Sequence, residues 1–381
     1  MRSYQGPLFF AHTALYRTFL NKDVTCEICY PEELLIKSVT LKTPAKLITN
    51  EYILSIIQGA NSSLPRSEVM DYCRQLEALF ARAGCQTRYV RDRENGETAQ
   101  GLMQQAVREA IEKAGVDPEE IDLMIFCGVG RGFLEPSNAA FLSHSLGLKC
   151  EFFDVADACM SWVRSLHLAY ELLAGDRYRN ILIVNGEFTT YEFGIPDVFK
   201  IHSPEQLRYS FPAMTIGEAA TATIVARSNT KWSFKFRTDA SHAHLCTLTL
   251  PGAQDYAGIH EQVGLNGLLR LVSFGKQLTY HALRGMLDFA LDNYSDLEMA
   301  KIDICFPHAA SDAVVRAAAR RLKLGNRLYA DLFSRYGNLI SASIPAAMSL
   351  AIDEGRLLRG HRIVMCPASA GISLGLVDGV F

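Results

Sequence analysis

The spacing of hydrophobic positions along the chain predicts a succession of helices and strands. Residues 67–83 and 98–115 carry apolar side chains at helical spacing, and each segment is closed by a glycine. The stretch 37–48 alternates loosely, as a strand does, and the apolar run 121–129 is short enough for a buried strand. Strands and helices then alternate to about Arg227, which predicts a mostly parallel sheet covered by helices.

The second half of the chain repeats this order of elements. A buried strand is predicted at 302–306, as at 121–126, and a helix rich in small residues follows each strand at a similar distance. Cys159 stands 38 residues after the start of the first strand, and Asn338 stands 36 residues after the start of the second. Order and spacing agree over about 90 residues, which indicates an internal duplication.

The duplication predicts two similar α/β halves, at 95–227 and 265–381, separated by a β-rich segment at 232–262. A chance match is the alternative, because every α/β chain alternates strands and helices. If the duplication is real, a two-fold axis brings the starts of the two equivalent helices together. Cys159 and Asn338 would then face one another.

Composition narrows the class of protein. The chain has 381 residues with a formal net charge of −3, which argues against nucleic-acid binding because that function usually shows a strongly basic face. No apolar run approaches the ~18 residues of a membrane span, and the N-terminus leads into no signal-peptide pattern. We therefore expect a cytoplasmic protein with no membrane partner. Its ten cysteines are scattered singly, as reduced thiols are in that compartment.

One cysteine, Cys159, stands where a strand ends at about Val155 and a helix begins. A thiol at a helix N-terminus meets unpaired backbone N–H groups and the positive end of the helix dipole, which stabilise a thiolate. The same N–H groups can bind an oxyanion. Asp154 and Asp157 would oppose a low pKa if their carboxylates point inward, and a buried structural cysteine is the alternative interpretation.

Two polar residues of the second half are candidate partners for this cysteine. His308 follows a predicted strand, and open α/β sheets place their sites at such strand ends. Asn338 begins the helix equivalent to that of Cys159, although helix capping is the commonest role of asparagine in that position. The segments 217–222 and 369–375 contain small residues, which let a backbone N–H approach a ligand closely.

Two further patterns are weaker candidates for redox or metal chemistry. Cys26 and Cys29 form a CxxC pair, but no second pair at zinc spacing accompanies them. His242, His244 and Cys246 alternate, so on a strand they would share a face and could bind a metal. Surface histidines are the more ordinary interpretation, and we predict no metal site. The chain carries no Walker loop and no dinucleotide glycine fingerprint.

Taken together, these segments resemble the thiolase-like condensing enzymes and, within them, β-ketoacyl-acyl carrier protein synthase III. The resemblance covers about residues 95–381. Four segments carry it in the family's order: Asp154-x-x-x-Ala158-Cys159, Pro307-His308-Ala309-Ala310, Gly337-Asn338 with Ala342-Ser343-Ile344-Pro345, and Gly371-Ile372-Ser373-x-Gly375. The segments 49–51 and 84–88 also look like the opening of the family.

The resemblance implies a five-layered αβαβα thiolase-like fold, made of two duplicated halves with mixed, mostly parallel sheets. Residues 1–227 would form the N-terminal half with an extension and carry the nucleophilic cysteine. Residues 228–381 would form the C-terminal half and carry the catalytic histidine and asparagine. Members of the family are usually homodimers, so a homodimer is expected.

The resemblance also implies the role of each residue. Cys159 would attack an acyl thioester and hold the acyl group. His308 and Asn338 would hydrogen-bond the thioester carbonyl of a second substrate while it loses CO₂ or a proton, and the enolate would attack the acyl group. The backbone N–H groups of Cys159, Ala370 and Gly371 would form the oxyanion hole. No cofactor is implied, because acyl-CoA or an acyl carrier protein delivers the thioesters.

The surroundings of this catalytic set depart from the usual family pattern. Ser161 and Trp162 stand where glycine and phenylalanine are usual, Leu339 where threonine is common, and Ala370 where glycine is usual. This favours a divergent member with an unusual acyl donor or acceptor, in fatty-acid-like or secondary-metabolite (polyketide) biosynthesis. Four side chains are expected to bind substrate: Trp162, Phe188, Phe211 and Ser311.

Three other functions fit parts of the pattern. The same fold and acyl-enzyme could transfer the acyl group to an oxygen or nitrogen acceptor, or hydrolyse it. A papain-like protease shares the order of Cys159, His308 and Asn338, but has tryptophan directly after its cysteine. A non-catalytic partner subunit commonly lacks the nucleophile. We therefore predict decarboxylative Claisen condensation, with acyl transfer without carbon–carbon bond formation as the alternative.

Overall fold

The computed structural model describes residues 33–190, 199–258 and 260–381. Most strands belong to two large mixed sheets, and the rest form two small antiparallel pairs. The strands are β1 (Glu33–Lys42), β2 (Lys46–Thr49), β3 (Thr87–Val90), β4 (Leu123–Cys127), β5 (Glu151–Val155), β6 (Asn180–Glu187), β7 (Ala219–Ser228), β8 (Ser233–Thr238), β9 (Cys246–Leu248), β10 (Leu271–Ser273), β11 (Ile304–Pro307), β12 (Arg362–Cys366), β13 (Ala368–Ser369) and β14 (Ser373–Val380).

The longer helices alternate with these strands. They are α1 (Asn50–Ala60), α2 (Arg66–Ala83), α3 (Ala99–Ala114), α4 (Asn138–Leu146), α5 (Ser161–Leu173), α6 (Gly275–Asn293), α7 (Asp312–Arg321) and α8 (Ser343–Asp353). Shorter helices occupy Leu207–Ser210, Ala253–Tyr256, Asp296–Ala300 and Leu332–Tyr336. Within the described ranges, no helix is both long and apolar enough to cross a membrane.

The first large sheet has the strand order β1-β7-β6-β4-β5. Strands β4, β5 and β6 run parallel, whereas β7 is antiparallel to β6 and to β1. Every residue of β4 and of β6 is buried, because helices cover both faces of the sheet. That double burial explains the unbroken apolar runs seen in the sequence.

The second large sheet repeats this order. Strand β14 lies between β8 and β12, and β11 runs parallel to β12 on its far side. Strand β8 thus corresponds to β1, β14 to β7, β12 to β6 and β11 to β4. At the place of β5, Leu328 makes a single parallel bridge to Cys305 of β11. The repeat extends to the outer strand of each sheet.

Three clusters of buried side chains define five layers. The central cluster takes side chains from both sheets, such as Ile183 and Met365, together with α5 and α8 between them. A second cluster packs α3 and α4 against the outer face of the first sheet, around Phe126. The third packs α6 and α7 against the outer face of the second sheet, around Phe289. The layering is αβαβα, so the predicted fold class is confirmed.

Three details of the predicted fold are corrected. Only three of the eight pairings in the two large sheets are parallel within the described ranges, because each sheet adds antiparallel strands beyond its parallel core. The segment 232–262 is not a separate excursion, since its β8 is an integral strand of the second sheet. The stretch 37–48 belongs to two strands of different sheets. The boundary at residues 227 and 228 falls where β7 ends, just before β8 begins, and stays a prediction.

Candidate active site

Cys159 lies in a tight 3-10 turn, Ala158–Met160, between β5 and α5. Ala158 has φ +45°, a left-handed conformation that costs about 1 kcal/mol or more for a residue with a Cβ. The hydroxyl of Ser161 accepts from the backbone N–H of Asp157 at 2.8 Å and donates to the carbonyl of Ala158 at 2.7 Å. These bonds fix the sharp turn that presents the thiol at the start of α5.

The surroundings of Cys159 keep its thiol protonated. Burial raises the pKa of the thiol, and the nearby thiol of Cys246 and carboxylate of Glu187 raise it further. The backbone N–H of Cys159 itself acts in the opposite direction, but more weakly. The expectation that the helix start stabilises a thiolate is therefore corrected, because loss of hydration outweighs the favourable dipole at this depth.

His308 follows β11, and its backbone N–H donates to the carbonyl of Cys366 at 3.0 Å. Burial lowers the pKa of the imidazole to about 4, while the backbone of Ile340 acts in the opposite direction. Its Nδ1 atom has no hydrogen-bond partner among the residues that the structure describes. His308 is therefore neutral at physiological pH and can accept a proton or polarise a carbonyl.

Asn338 is held by its main chain and oriented by its side chain. Its N–H donates to the carbonyl of Thr215 at 2.8 Å, and its carbonyl accepts from the N–H of Gly217 at 3.1 Å. Its Oδ1 accepts from the N–H of Ile340 at 2.9 Å, which leaves the Nδ2 group as the available donor. The preceding Gly337 has φ +70°, and a Cβ there would lie 2.3 Å from the Thr215 carbonyl. Only glycine fits this approach to the site.

The turn before α5 and the turn before α8 pack against each other, as the duplication predicts. The second turn is Ile340–Ala342, and Ile340 has φ +51°, matching Ala158 of the first turn. In this register the counterpart of Cys159 is Ser341, three residues beyond the predicted Asn338. The spacing agrees with this register, since Ser341 stands 39 residues after Ile302 and Cys159 stands 38 residues after Ile121.

The segment after β13 approaches the same turn. The hydroxyl of Ser369 donates to the carbonyl of Asp157 at 3.3 Å, which brings Ala370 close to the start of α5. Within the described ranges, neither the N–H of Cys159 nor that of Ala370 donates to another backbone carbonyl. These amides are suited to an oxyanion. The predicted oxyanion hole, which also includes Gly371, stays a prediction.

Two of the side chains predicted to bind substrate are buried in the hydrophobic clusters. The indole of Trp162 is fully buried in the central cluster, and its Nε1 donates to the hydroxyl of Thr223 at 3.1 Å. Phe188 packs in the outer cluster with α3 and α4, and the guanidinium of Arg91 lies over its ring at 5.0 Å. Both side chains contribute to core packing on either side of the first sheet, and their predicted role in substrate binding stays a prediction.

The other two side chains predicted to bind substrate contact the N-terminal extension. The ring of Phe211 packs edge-on against Phe80 of α2, with 5.5 Å between centroids. The hydroxyl of Ser311 donates to the carbonyl of Ala83 at the end of α2. These contacts do not test substrate binding, so the substrate-binding role of Phe211 and Ser311 stays a prediction.

The metal and redox candidates have separate outcomes. His242 and His244 lie in a 3-10 turn rather than on a strand, and they stack on His281 and His260 respectively. In the part of the chain that the structure describes, no group of three potential ligands is arranged to hold a metal ion. Cys26 and Cys29 lie outside the described residues.

Sequence reasoning missed two residues of the site. Glu187 is fully buried at the end of β6, and burial raises its pKa to about 7. Cys246 begins β9 with its thiol beside that of Cys159. A signal existed for Glu187, since it is the first charged residue after a buried strand. The sequence singles out Cys246 only as a possible metal ligand, and nothing in it places Cys246 beside Cys159, which it approaches through the small β9–β10 sheet.

Comparisons with known proteins agree with this geometry. Residues 153–240 match the family model of 3-oxoacyl-(acyl-carrier-protein) synthase III, and residues 293–377 match that of its C-terminal region. The chain is 26% identical to a β-ketoacyl-(acyl-carrier-protein) synthase III of Desulfitobacterium hafniense, over 78% of this chain and 87% of the relative. It is 24% identical to that of Methylococcus capsulatus, over 84% and 97%.

The fold is also that of OleA from Xanthomonas campestris, in a structure with bound lauric acid and lauroyl-CoA. The TM-score is 0.77 at 22% identity, and the match covers 92% of this chain and 100% of OleA. In sequence the chain is similar to the synthase III enzymes, as a divergent relative, and its fold is thiolase-like. The resemblance seen in the sequence is confirmed, and the similar proteins indicate an acyl-transferring enzyme of the condensing type.

Proposed function

We propose that the protein is a ketosynthase that forms an acyl thioester on Cys159 and condenses it with a malonyl-type thioester by decarboxylative Claisen chemistry. The observation that carries the proposal is the meeting of the two turns, which brings the Cys159 thiol to the segment holding Asn338 and facing His308. The proposed pathway context is fatty-acid-like biosynthesis.

In the first step, the sulfur of Cys159 attacks the carbonyl of an acyl-CoA or of an acyl carrier protein. The thiol proton passes to the departing thiolate, so that acyl-Cys159 and a free thiol result. Both Cys159 and His308 rest in their neutral forms, so the proton moves during attack rather than before it. The free N–H groups of Cys159 and Ala370 would stabilise the oxyanion, an effect typically worth ~10²–10³ in rate per donor.

In the second step, His308 and the Nδ2 group of Asn338 hydrogen-bond the carbonyl oxygen of the malonyl thioester. Loss of CO₂ leaves the electron pair on the α-carbon as an enolate, which attacks the acyl carbonyl. The Cys159 sulfur leaves and regains a proton. Because decarboxylation supplies the carbanion, the proposed reaction needs neither a metal nor a redox cofactor.

A homodimer is part of the proposal. Strand β5 is an edge of the first sheet, and its Phe152 is half-exposed. Phe133 and Phe141 stack at 4.1 Å beside it and are also half-exposed, and Leu134 is 75% exposed. Apolar patches of this kind mark protein interfaces. Light scattering after size-exclusion chromatography should give twice the chain mass, and Phe152→Lys should shift it towards the monomer.

The central experiment loads the enzyme with lauroyl-CoA, a thioester chosen because OleA binds it. Intact-mass and peptide mass spectrometry should find one lauroyl group on the Cys159 peptide, and none in Cys159→Ala. Cys246→Ala is the matched control, since it removes the neighbouring thiol and should leave loading intact. Absence of an acyl group on Cys159 would refute the proposal.

Adding malonyl-CoA to the loaded enzyme distinguishes condensation from its alternative. Release of CO₂ together with a β-keto thioester supports condensation. Turnover of the acyl-enzyme without either product would instead establish acyl transfer or hydrolysis by the same Cys159 intermediate.

A further inference from the structure

Glu187 is a fully buried carboxylate that the proposed reaction does not use. Its two oxygens accept from the N–H groups of Val129 and Gly130, each at 3.2 Å, and from the N–H of Ser341, also at 3.2 Å. The hydroxyl of Ser341 donates to it as well, through a short hydrogen bond. No basic side chain forms an ion pair with it in the described part of the chain.

The loop after β4 is shaped around this carboxylate. Gly128 has φ +137°, and a Cβ there would lie 2.9 Å from the carbonyl of Gly186. A Cβ at Gly130 would lie 2.7 Å from the backbone nitrogen of Phe188. Glycine at both positions lets the loop amides approach the carboxylate as donors.

Glu187 connects the two halves of the molecule through Ser341. A second residue of β6, Asn185, donates from Nδ2 to the Ser341 hydroxyl at 2.7 Å. Both β6 side chains belong to the first sheet, whereas Ser341 belongs to the turn before α8. The hydroxyl of Ser341 is thus held from the opposite half by two buried side chains.

The turn held in this way carries the second-substrate side of the site. Ile340 has φ +51°, a conformation that is a genuine outlier for a β-branched residue and persists only where the surroundings impose it. Its N–H binds Oδ1 of Asn338, and its backbone faces His308. Release of Ser341 would let this turn relax and would alter the orientation of both side chains.

We propose that Glu187 is a positioning residue for the condensation step, holding Ser341 so that Asn338 and His308 keep their orientation towards the second thioester. This inference rests on the proposed function. Glu187 acts through Ser341 and does not touch the substrate. Acylation of Cys159, whose turn is fixed separately by Ser161, does not depend on this hold.

The hydrogen bonding between Glu187 and Ser341 depends on pH. A protonated carboxyl turns one oxygen from acceptor to donor, facing N–H groups that also donate, so the turn is held less firmly. Burial raises the pKa of Glu187 to about 7, against the hydrogen bonds that lower it. The groups that face it are the thiols of Cys127 on β4 and of Cys159, and the Glu187 charge raises the pKa of both. Both thiols stay neutral across this range, so Glu187 titrates alone.

The test separates the two chemical steps in Glu187→Gln and Ser341→Ala. Rapid-quench mass spectrometry gives the rate of acyl-Cys159 formation from lauroyl-CoA. The preformed acyl-enzyme is then mixed with malonyl-CoA from pH 5.5 to 9, and β-keto product is measured. Asp122→Asn is the matched control, because that carboxylate also accepts two backbone N–H groups, from Arg179 and Asn180, at the opposite end of the same strands.

We expect acylation within threefold of wild type and condensation at least tenfold slower in both variants, with Asp122→Asn unchanged in both steps. Wild-type condensation should fall as the pH drops through about 7, and Glu187→Gln should lack this acid limb. Equal loss of both steps, an unchanged condensation rate, or an acid limb retained in Glu187→Gln would overturn the inference. Ser341→Ala decides alone if Glu187→Gln fails to fold. Failure of wild type to form acyl-Cys159 would instead overturn the proposed function, and this role with it.

Discussion

The buried side chain of Trp162 allows a direct test of whether it contributes to the stability of the fold or to substrate binding. Its indole is fully buried in the central cluster, and its Nε1 donates to the equally buried hydroxyl of Thr223 of β7 at 3.1 Å. Trp162→Phe keeps an aromatic ring in the same place while removing the pyrrole part of the indole and this hydrogen bond. We expect a loss of stability without a change in substrate binding.

The size of the loss follows from these two contributions. Truncation of a buried aromatic side chain to alanine costs about 3–5 kcal/mol, so removal of roughly a third of the indole should cost about 1–2 kcal/mol. The hydroxyl of Thr223, left without its donor, adds about 1–3 kcal/mol. We therefore expect a free energy of unfolding lower by about 3 kcal/mol. With an unfolding entropy of about 2.1 cal/mol/K per residue, the melting temperature of a chain this long should fall by about 4 °C.

Guanidinium unfolding and steady-state kinetics together test the reasoning. Thr223→Val removes the hydroxyl at nearly constant volume, and combining it with Trp162→Phe should recover about 1 kcal/mol relative to the sum of the single variants. The KM for lauroyl-CoA should stay within twofold. A tenfold change in KM with an unchanged unfolding midpoint would show that Trp162 lines the substrate site after all.

Three further predictions concern charge and close packing. Because burial raises the pKa of Cys159, its alkylation by iodoacetamide should quicken about tenfold per pH unit from pH 7 to 9, as its small thiolate fraction rises, and levelling below pH 8 would contradict this. Arg91→Met would break the buried Arg91–Glu218 ion pair, whose charged atoms lie 3.1 Å apart. We expect it to lower the free energy of unfolding, measured in urea, by about 3–5 kcal/mol. A Cβ at Gly217 would lie 2.1 Å from the carbonyl of Tyr336, so Gly217→Ala should lower the melting temperature and slow condensation, and wild-type behaviour in both assays would refute the close approach.

The fold was largely predictable because its elements bury whole faces. Runs such as 123–127 and 304–307 contain only apolar residues, since helices cover both sides of each sheet, and this double burial leaves a strong signal. The place of β8 was not predictable in this way. In the sequence, an edge strand covered on one face is an isolated alternating segment. Strand β8 is assigned to the second sheet only by its pairing with β14, whose residues follow their β8 partners by 135 positions or more.

The candidate site was predictable in its residue types but not in its register. Cys159, His308 and Asn338 follow the expected elements, whereas Ser341 and not Asn338 stands opposite Cys159. The left-handed residues Ala158 and Ile340 fix that register, and backbone conformation of this kind leaves no hydrophobic pattern. Trp162 shows a second limit of sequence reasoning. A residue close to the nucleophile in sequence need not point towards it, since successive residues of a helix point to different sides.

The position of β14 inside the second sheet sets an order for folding. The first sheet has all its strands once residue 228 exists, although β1 and β7 pair residues up to 195 positions apart. The second sheet needs residues 373–380, on which β8, β12 and β13 all pair. At roughly 5–20 residues per second, synthesis of this remainder takes about 7–30 seconds. Throughout that time the apolar inner face of α5 has no opposite layer, so the nascent first half is the species that chaperones must protect from aggregation.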